Sequence, residues 1–527
     1  MSDQKPSTYD EMPYLDQAFA QTHPDRLATL ATLCGIATHT VETCRVLELG
    51  CAGGGNLIPM AFGLPNATFL GIDLSARQIG QGQEKVTTLG LKNIELRHGD
   101  IADIDSSLGE FDYIVCHGIY SWVPDRVRER ILAICRDNLA PQGIAYVSYN
   151  TLPGWHMMGM VRDMMIFHAS QFQGAPNKVR QARALLDFLT QSSPETTPYG
   201  MMLRQVLNAI RPQNDSYLFH EYLEEVNEPV YFRQFAESAA QHGLQYLTEA
   251  EFGASVVSNL GKPIADTLRR IASDLLRMEQ YMDFVRNRSF RCSLLTHQGI
   301  AVKRNLDGTE LMGLCVASPA KFVSHQPSLA QGVTEAVRLP NGAIVTPSSA
   351  ITKAALQLLA EQWPLAIPFE QLLADSRARL ENNADAVPDA AALAQQGKTL
   401  GGELLQCYAA GVVELRTQPP HVSVKPSVRP MTSPLARFEA KRGEWVTNQR
   451  HEALRLDEFS RRLVPLLDGT RDRDALVAAL VIQQAAGRLN PRQNGELPAK
   501  GPKLERTLRV ALDESLLKLA GAGLLVD

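Results

Sequence analysis

The sequence predicts an α/β protein built on a doubly wound, mainly parallel seven-stranded sheet, with a helical insertion and C-terminal winged-helix-like modules. Three observations predict it. Short apolar runs alternate with helix-sized segments through residues 45–148, at the spacing of βαβ units. A glycine-rich turn, Gly50-Cys-Ala-Gly-Gly-Gly55, follows the first run directly. Beyond Trp155 the alternation gives way to an almost wholly helical pattern up to Glu228, after which two strand-like runs return.

Taken in order, residues 22–37 predict a helix, with Leu27, Leu30, Ala31 and Leu33 at helical spacing. Strands are predicted at Arg45–Leu49, Thr68–Ile72, Asn93–Arg97, Tyr113–Cys116 and Ile144–Ser148. Gly243–Leu247 and Phe290–Thr296, separated by a helix over Pro263–Arg286, are expected to add two more strands, the last antiparallel. On that reading residues 1–157 form a cofactor-binding unit completed by 229–300, and 158–228 are an inserted helical unit suited to regulation or dimerisation. A middle α+β domain covers 301–417, where Pro340-Asn-Gly342 lies between Val333–Leu339 and Ala343–Thr346 as a hairpin signal and a helix follows at Ser348–Glu361. The Pro-rich stretch 418–434 reads as a linker, and 435–527 as a module with helices at 456–467, 473–485 and 504–519.

Composition narrows the classes. With 527 residues, 45% hydrophobic and 21% charged, the chain can bury large cores in two to four domains. The formal net charge of −5 gives no strong nucleic-acid signal, although residues 420–527 hold 18 Lys and Arg against 13 Asp and Glu. Eight cysteines without a C-x-x-C pair or a Cys/His cluster predict neither a disulfide framework nor a metal site. The polar N-terminal segment and the lack of a long apolar run lead us to expect no signal peptide, no membrane span and a cytoplasmic location.

The residues that carry chemistry cluster at strand ends. In Glu48-Leu-Gly50-Cys-Ala52-Gly-Gly54-Gly-Asn56 a strand runs into a turn and then a helix, where glycines let a cofactor lie against the backbone. Alone, Gly50-x-Ala52-x-x-Gly55 also passes for a dinucleotide fingerprint. Its company separates the readings. Glu48 precedes the first glycine by two residues, Asp73 ends the second strand where it can accept ribose hydroxyls, and Asp100 ends the third where it can meet an adenine amino group. This ordered set predicts S-adenosyl-L-methionine as cofactor, held by Glu48, Asp73 and Asp100 around the turn of Gly50, Ala52, Gly54 and Asn56, with Leu74 and Ile101 next to the two strand-end carboxylates as further candidates.

Further stretches narrow the resemblance: Tyr9-Asp-Glu-Met-Pro-Tyr14, Gln21-Thr-His-Pro-Asp-Arg-Leu27, Tyr120-Ser-Trp-Val-Pro124, Ser148-Tyr-Asn-Thr-Leu-Pro-Gly-Trp155, Phe219-His-Glu-Tyr-Leu-Glu-Glu-Val-Asn-Glu-Pro229 and Asn287-Arg-Ser-Phe-Arg291. Together with the glycine turn they make residues 9–297 resemble class I methyltransferases that carry a methyltransferase regulatory domain. Characterised members are bacterial protein-lysine methyltransferases of outer-membrane proteins. The resemblance implies cofactor contacts at Glu48, Gly50, Gly54, Asp73, Asp100 and His117, a protein substrate such as an outer-membrane or surface protein, and a homodimer. A small-molecule or RNA acceptor, and a non-catalytic scaffold, stand beside the lysine reading.

Because sites of this fold lie at the carboxyl ends of strands, Tyr120, Trp122 and Tyr149 are the expected catalytic residues, an aromatic wall around the accepting nitrogen. His117 and His156 are candidate proton acceptors. Met157, Met158, Met160, Met164 and Met165 predict a packed helix interface. Glu221, Glu224, Glu225 and Glu228 are expected on one side of a helix, as a solvated acidic face.

Overall fold

The computed structural model describes residues 11–12, 16–381, 390–489 and 501–526; most of the Tyr9–Tyr14 stretch lies outside them. Helix α1 (Pro24–Leu33) leads into β1 (Arg45–Leu49), and α2 (Leu57–Gly63), β2 (Thr68–Asp73), α3 (Ala76–Leu89), β3 (Ile94–His98), β4 (Phe111–Cys116), α4 (Asp125–Asp137) and β5 (Leu139–Asn150) follow. Helices α5 (Trp155–Ala169), α6 (Ala175–Ser192), α7 (Pro198–Ile210) and α8 (Asp215–Tyr222) come next, then α9 (Phe232–Gln241), β6 (Leu244–Glu249), α10 (Lys262–Ile271), α11 (Leu275–Arg286) and β7 (Phe290–His297).

These strands form one seven-stranded sheet, as the sequence predicts, in the order β3-β2-β1-β4-β5-β7-β6 that the structure shows. Strands β1 to β5 pair in parallel, and β7 inserts antiparallel between β5 and β6. Both faces are covered, which is why β1 is apolar on both sides with Val46, Leu47 and Leu49 buried. Helices α1 and α2 pack on one face, and α4 and α9 on the other through Ile131, Leu132 and Phe235. Helices α5 to α8 have their own core around Met165, Val179, Leu203 and Leu218.

Several local expectations are corrected. The first helix spans Pro24–Leu33, because His23 Nδ1 accepts the Asp25 N–H as its cap and the preceding turn is 3-10. The helix expected over Pro263–Arg286 breaks in two, because Asp274 stops the chain and caps α11 by accepting from Arg277 N–H at 2.8 Å. The four glutamates do not share a helix face, since α8 ends at Tyr222. Glu224 instead meets His220 Nδ1 at 2.7 Å, and Glu228 pairs with Arg128. Of the five methionines on α5, Met165 is buried and Met158 and Met164 pack beside it, while Met157 and Met160 lie exposed.

In the middle segment, β8 (Cys315–Ala317), β9 (Lys321–Phe322), β10 (Val337–Arg338) and β11 (Ile344–Val345) precede α12 (Ala350–Gln362). The Asn341-Gly342 turn joins β10 and β11, with Gly342 at φ +86°. Next come β12 (Ile367–Pro368), α13 (Phe369–Glu381), α14 (Ala390–Ala409) and β13 (Glu414–Arg416). Leu356, Leu400 and Val413 of this segment share one core with Leu27 and Leu30 of α1.

The stretch expected as a linker is packed instead. Ser423 N–H donates to Leu525 O at 3.0 Å, and β14 (Met431–Thr432) pairs with the final β17 (Leu525–Val526). Prolines remove donors without preventing extended segments from pairing at their other residues. Between them lie α15 (Pro434–Arg442), the hairpin of β15 (Trp445–Thr447) and β16 (Ala453–Arg455), then α16 (Glu458–Leu463), α17 (Arg473–Ala485) and α18 (Pro502–Gly521).

Candidate active site

The turn after β1 is shaped by backbone requirements. Gly50 and Gly54 both sit at φ +74°, and a Cβ on Gly50 would lie 2.3 Å from Ile119 Cδ1. Ala52 also lies at positive φ, 49°, which a methyl side chain tolerates at some strain. Its N–H donates to Asp73 Oδ2 at 2.8 Å, and Ser75 N–H donates to Asp73 Oδ1 at 2.8 Å. Asp73 thereby fastens the end of β2 to the turn while staying half-buried at its surface.

Behind the turn, Glu48 is 4% exposed. Its Oε1 accepts from Asn56 Nδ2 at 2.7 Å, and its Oε2 is buried with no hydrogen-bond partner among the described residues. Burial pushes the Glu48 carboxyl up to about 8. Asn56, expected to contact the cofactor, has its side-chain amide turned to protein partners. Its Nδ2 donates to Glu48 and to Thr22 Oγ1, and its Oδ1 accepts from Phe19 N–H at 2.9 Å and from His451 Nε2 at 2.9 Å. Both ends of the amide are committed to protein partners, so it orients Glu48 from behind.

At the end of β3, Asp100 Oδ1 accepts from Ala102 N–H at 2.8 Å. Leu74 and Ile101 directly follow the two strand-end carboxylates, and Leu74 is left 61% exposed, an apolar surface suited to one face of a flat base. His117, after β4, lies 2.9 Å by Nδ1 from Tyr146 Oη and 3.2 Å from Ser148 Oγ. Burial pulls its pKa down to about 4, so it is neutral at pH 7.

The expected aromatic wall does not form. Tyr149 is 1% exposed, stacks on Phe235 at 4.1 Å, and meets Ser293 Oγ at 3.0 Å. Tyr120 is 4% exposed and packs edge-on against the same Phe235. Trp122 stands apart, against the buried Trp155 at 6.3 Å. The reason lies in the strand: successive side chains alternate, so Tyr146 and Ser148 share the face of His117 while Tyr149 points to the α4/α9 side. His156 Nε2 lies 3.4 Å from Tyr231 Oη.

Sequence reasoning missed three contributors. Asp16 reaches over the turn, accepting from Gly55 N–H and pairing with Lys85 of α3. Phe19 lies against His117 at 4.1 Å. His451 arrives from the C-terminal module. Asp16 and Lys85 lack a local signal, being 69 residues apart. The Gln21–Leu27 motif adjoins Phe19 and marked the segment without assigning its role.

A buried carboxylate oxygen with no partner among the described residues, a turn whose glycines leave no free space for a Cβ, a strand-end aspartate and an exposed apolar ledge fit the cationic amino acid, ribose and adenine of S-adenosylmethionine. With the sheet order, they define a class I S-adenosylmethionine-dependent methyltransferase. Residues 46–143 match the family described as a methyltransferase domain, 214–297 the predicted methyltransferase regulatory domain, and 429–524 the PKMT C-terminal winged helix domain. The structure of PKMT2 from Rickettsia typhi in complex with AdoHcy superposes with a TM-score of 0.87 at 33% identity, covering 98% of this chain and all of that one. An uncharacterized protein of Rickettsia prowazekii is 35% identical over 531 residues, 98% of this chain and 93% of its own length. A second from that organism is 42% identical over 241 residues, 46% of this chain and 96% of its own length. The chain therefore belongs to the family of class I methyltransferases that combine a regulatory domain with the PKMT winged-helix domain.

Proposed function

We propose that this enzyme methylates a lysine side chain of a protein substrate. The observation that carries the reading is the likeness to PKMT2 along the whole chain, winged-helix domain included, rather than over the methyltransferase sheet alone. S-adenosylmethionine supplies a methyl group on a sulfonium. The chain supplies position: Glu48 offers its unpaired Oε2 to the cofactor's ammonium, Asp73 accepts from ribose hydroxyls, and Asp100 with Leu74 and Ile101 holds the base.

The accepting nitrogen must arrive unprotonated, and a free lysine titrates near 10.4. At about 4, His117 is too weak a base to take that proton, so it orients rather than deprotonates. Desolvation does the work instead. Phe19 and Phe290 flank His117, at 4.1 and 6.3 Å, and Phe290 remains 41% exposed at the mouth; these replace Tyr120 and Tyr149 as the aromatic surface that favours a neutral amine.

The proposed substrate is an outer-membrane or surface protein, methylated in the cytoplasm by a homodimer. Phe167, Phe188 and Met201, exposed on α5 to α7, are the apolar surface that would meet a second copy, and light scattering showing a monomer at micromolar concentration would remove that part. Labelled S-adenosylmethionine incubated with the enzyme and a membrane-protein fraction, in parallel with total RNA, tests the acceptor. Label in acid-stable methyl-lysine is the expected result, and label in RNA alone overturns it.

A further inference from the structure

The turn between β15 and β16 places a histidine of the winged-helix domain against the back of the cofactor turn. His451 is 5% exposed, and its Nε2 lies 2.9 Å from Asn56 Oδ1, 395 residues away in sequence. The direction of this bond follows from the other partners. Asn56 Nδ2 must face the Glu48 carboxyl and Oδ1 must face the Phe19 N–H, so His451 Nε2 carries the proton and donates. Burial beside His23, Arg416 and Arg26 keeps the ring neutral.

The backbone is held in place to deliver that ring. His451 adopts φ +61°, a left-handed conformation disfavoured for a residue that carries a β-carbon. The surroundings over-determine it. Asn448 accepts from the N–H groups of Arg450 and Glu452 at 2.9 and 2.8 Å, and its Nδ2 donates to Ala522 O at 2.8 Å. The buried Arg450 pairs with Glu414 and lies 4.2 Å over the Trp363 ring. A residue held at positive φ whose ring hydrogen-bonds an amide of the cofactor turn points to a task at that turn.

We infer that His451 is a positioning residue of the cofactor site, through which the winged-helix domain fixes Asn56 and, through Asn56, the carboxylate of Glu48 that receives the cofactor's ammonium. The chain His451–Asn56–Glu48 makes the C-terminal domain part of the methyl-donor site rather than an appendage. The inference rests on S-adenosylmethionine occupying the Glu48 side of the turn, and it is independent of the acceptor.

Calorimetric titration of the full-length protein with S-adenosylmethionine tests it in four variants, His451→Ala, His451→Gln, Asn56→Ala and the double variant. His451→Ala is expected to raise Kd roughly tenfold, as expected for one hydrogen bond lost next to a charged group, and His451→Gln, whose amide N–H reaches a similar point, to stay within about threefold of the parent. Steady-state rates should show the loss in the KM for cofactor, with kcat at saturating cofactor within about twofold. In an Asn56→Ala background, His451→Ala should add no further loss, because the two act in series. Wild-type affinity in His451→Ala, an equal loss in His451→Gln, or additive losses in the double variant each overturn the inference. Failure of the parent itself to bind S-adenosylmethionine would instead strike the cofactor assignment.

Discussion

At the scale of single residues, Glu48 sets a pH dependence. Its carboxyl is pushed up to about 8 in the folded protein from the ordinary 4.5, so between these values the native state holds a proton that the unfolded chain has released. Stability of the cofactor-free enzyme therefore falls as pH rises through that window. An ammonium placed on Oε2 favours the ionised form, so cofactor binding near pH 7 should release close to one proton, and affinity should climb toward pH 8. Titrations in buffers of different ionisation enthalpy measure that release, and Glu48→Gln should abolish it. The residue scale is also where the sequence was most and least legible. Glu48, Asp73 and Asp100 stand out because each lies at or next to the carboxyl end of a strand, a position read from local pattern alone. Tyr149 was placed on the wrong side because which face a strand residue occupies depends on register, and a shift of one residue exchanges Ser148 for Tyr149, while Tyr120 and Trp122 lie in a 3-10 turn after β4 whose direction no periodicity gives.

At the scale of elements, strand positions were readable because βαβ packing demands apolar runs, and β1 appears with the bounds its sequence predicts. Helix ends were less so, since they turn on a single cap such as Asp274. The junction of α11 with β6 and β7 holds something no periodicity reveals. Arg291 on β7 is fully buried, with Glu249 at 2.6 Å, Asp283 at 2.9 Å by Nε, and Glu279 at 3.1 Å, and it lies 4.0 Å over Phe232. Arg288 adds a second charge, 3.6 Å from Asp283. Burial pushes Glu279 up to about 7, while Arg291 and Arg288 hold Glu249 below the usual carboxylate range despite its burial. Such a cluster need not add net stability, but removing its guanidinium leaves carboxylates buried without a counter-charge. Arg291→Met should therefore cost about 3–5 kcal/mol in urea unfolding, and a loss below about 1 kcal/mol would show that the carboxylates simply take up protons.

At the scale of the whole molecule, the domains meet through charge. Glu414 of β13 receives Arg26 of α1 at 2.8 Å and Arg450 of the winged-helix domain, while Arg416 reaches Asp25 at 3.2 Å. Partners drawn from three regions cannot be paired from one sequence, so the interlock was invisible where the strand-end motif was plain. Burial works against ionised Glu414, yet Arg26 and Arg450 prevail and hold its carboxyl down to about 2. A depressed carboxylate stabilises the fold above its unfolded value of 4.5, and that stabilisation is lost as pH falls from there toward 2. Because the Glu414 side chain keeps 22% of its surface exposed, solvent screening trims the effect to about 2 kcal/mol. Glu414→Gln should lose that amount at pH 7 and show a flatter acid limb in denaturation. Because the same carboxylate anchors Arg450 beside His451, the variant should also bind S-adenosylmethionine more weakly than its stability loss alone explains, measured well below its unfolding midpoint. Unchanged cofactor affinity in a destabilised Glu414→Gln protein would separate the interlock from the site and leave it a purely structural clamp.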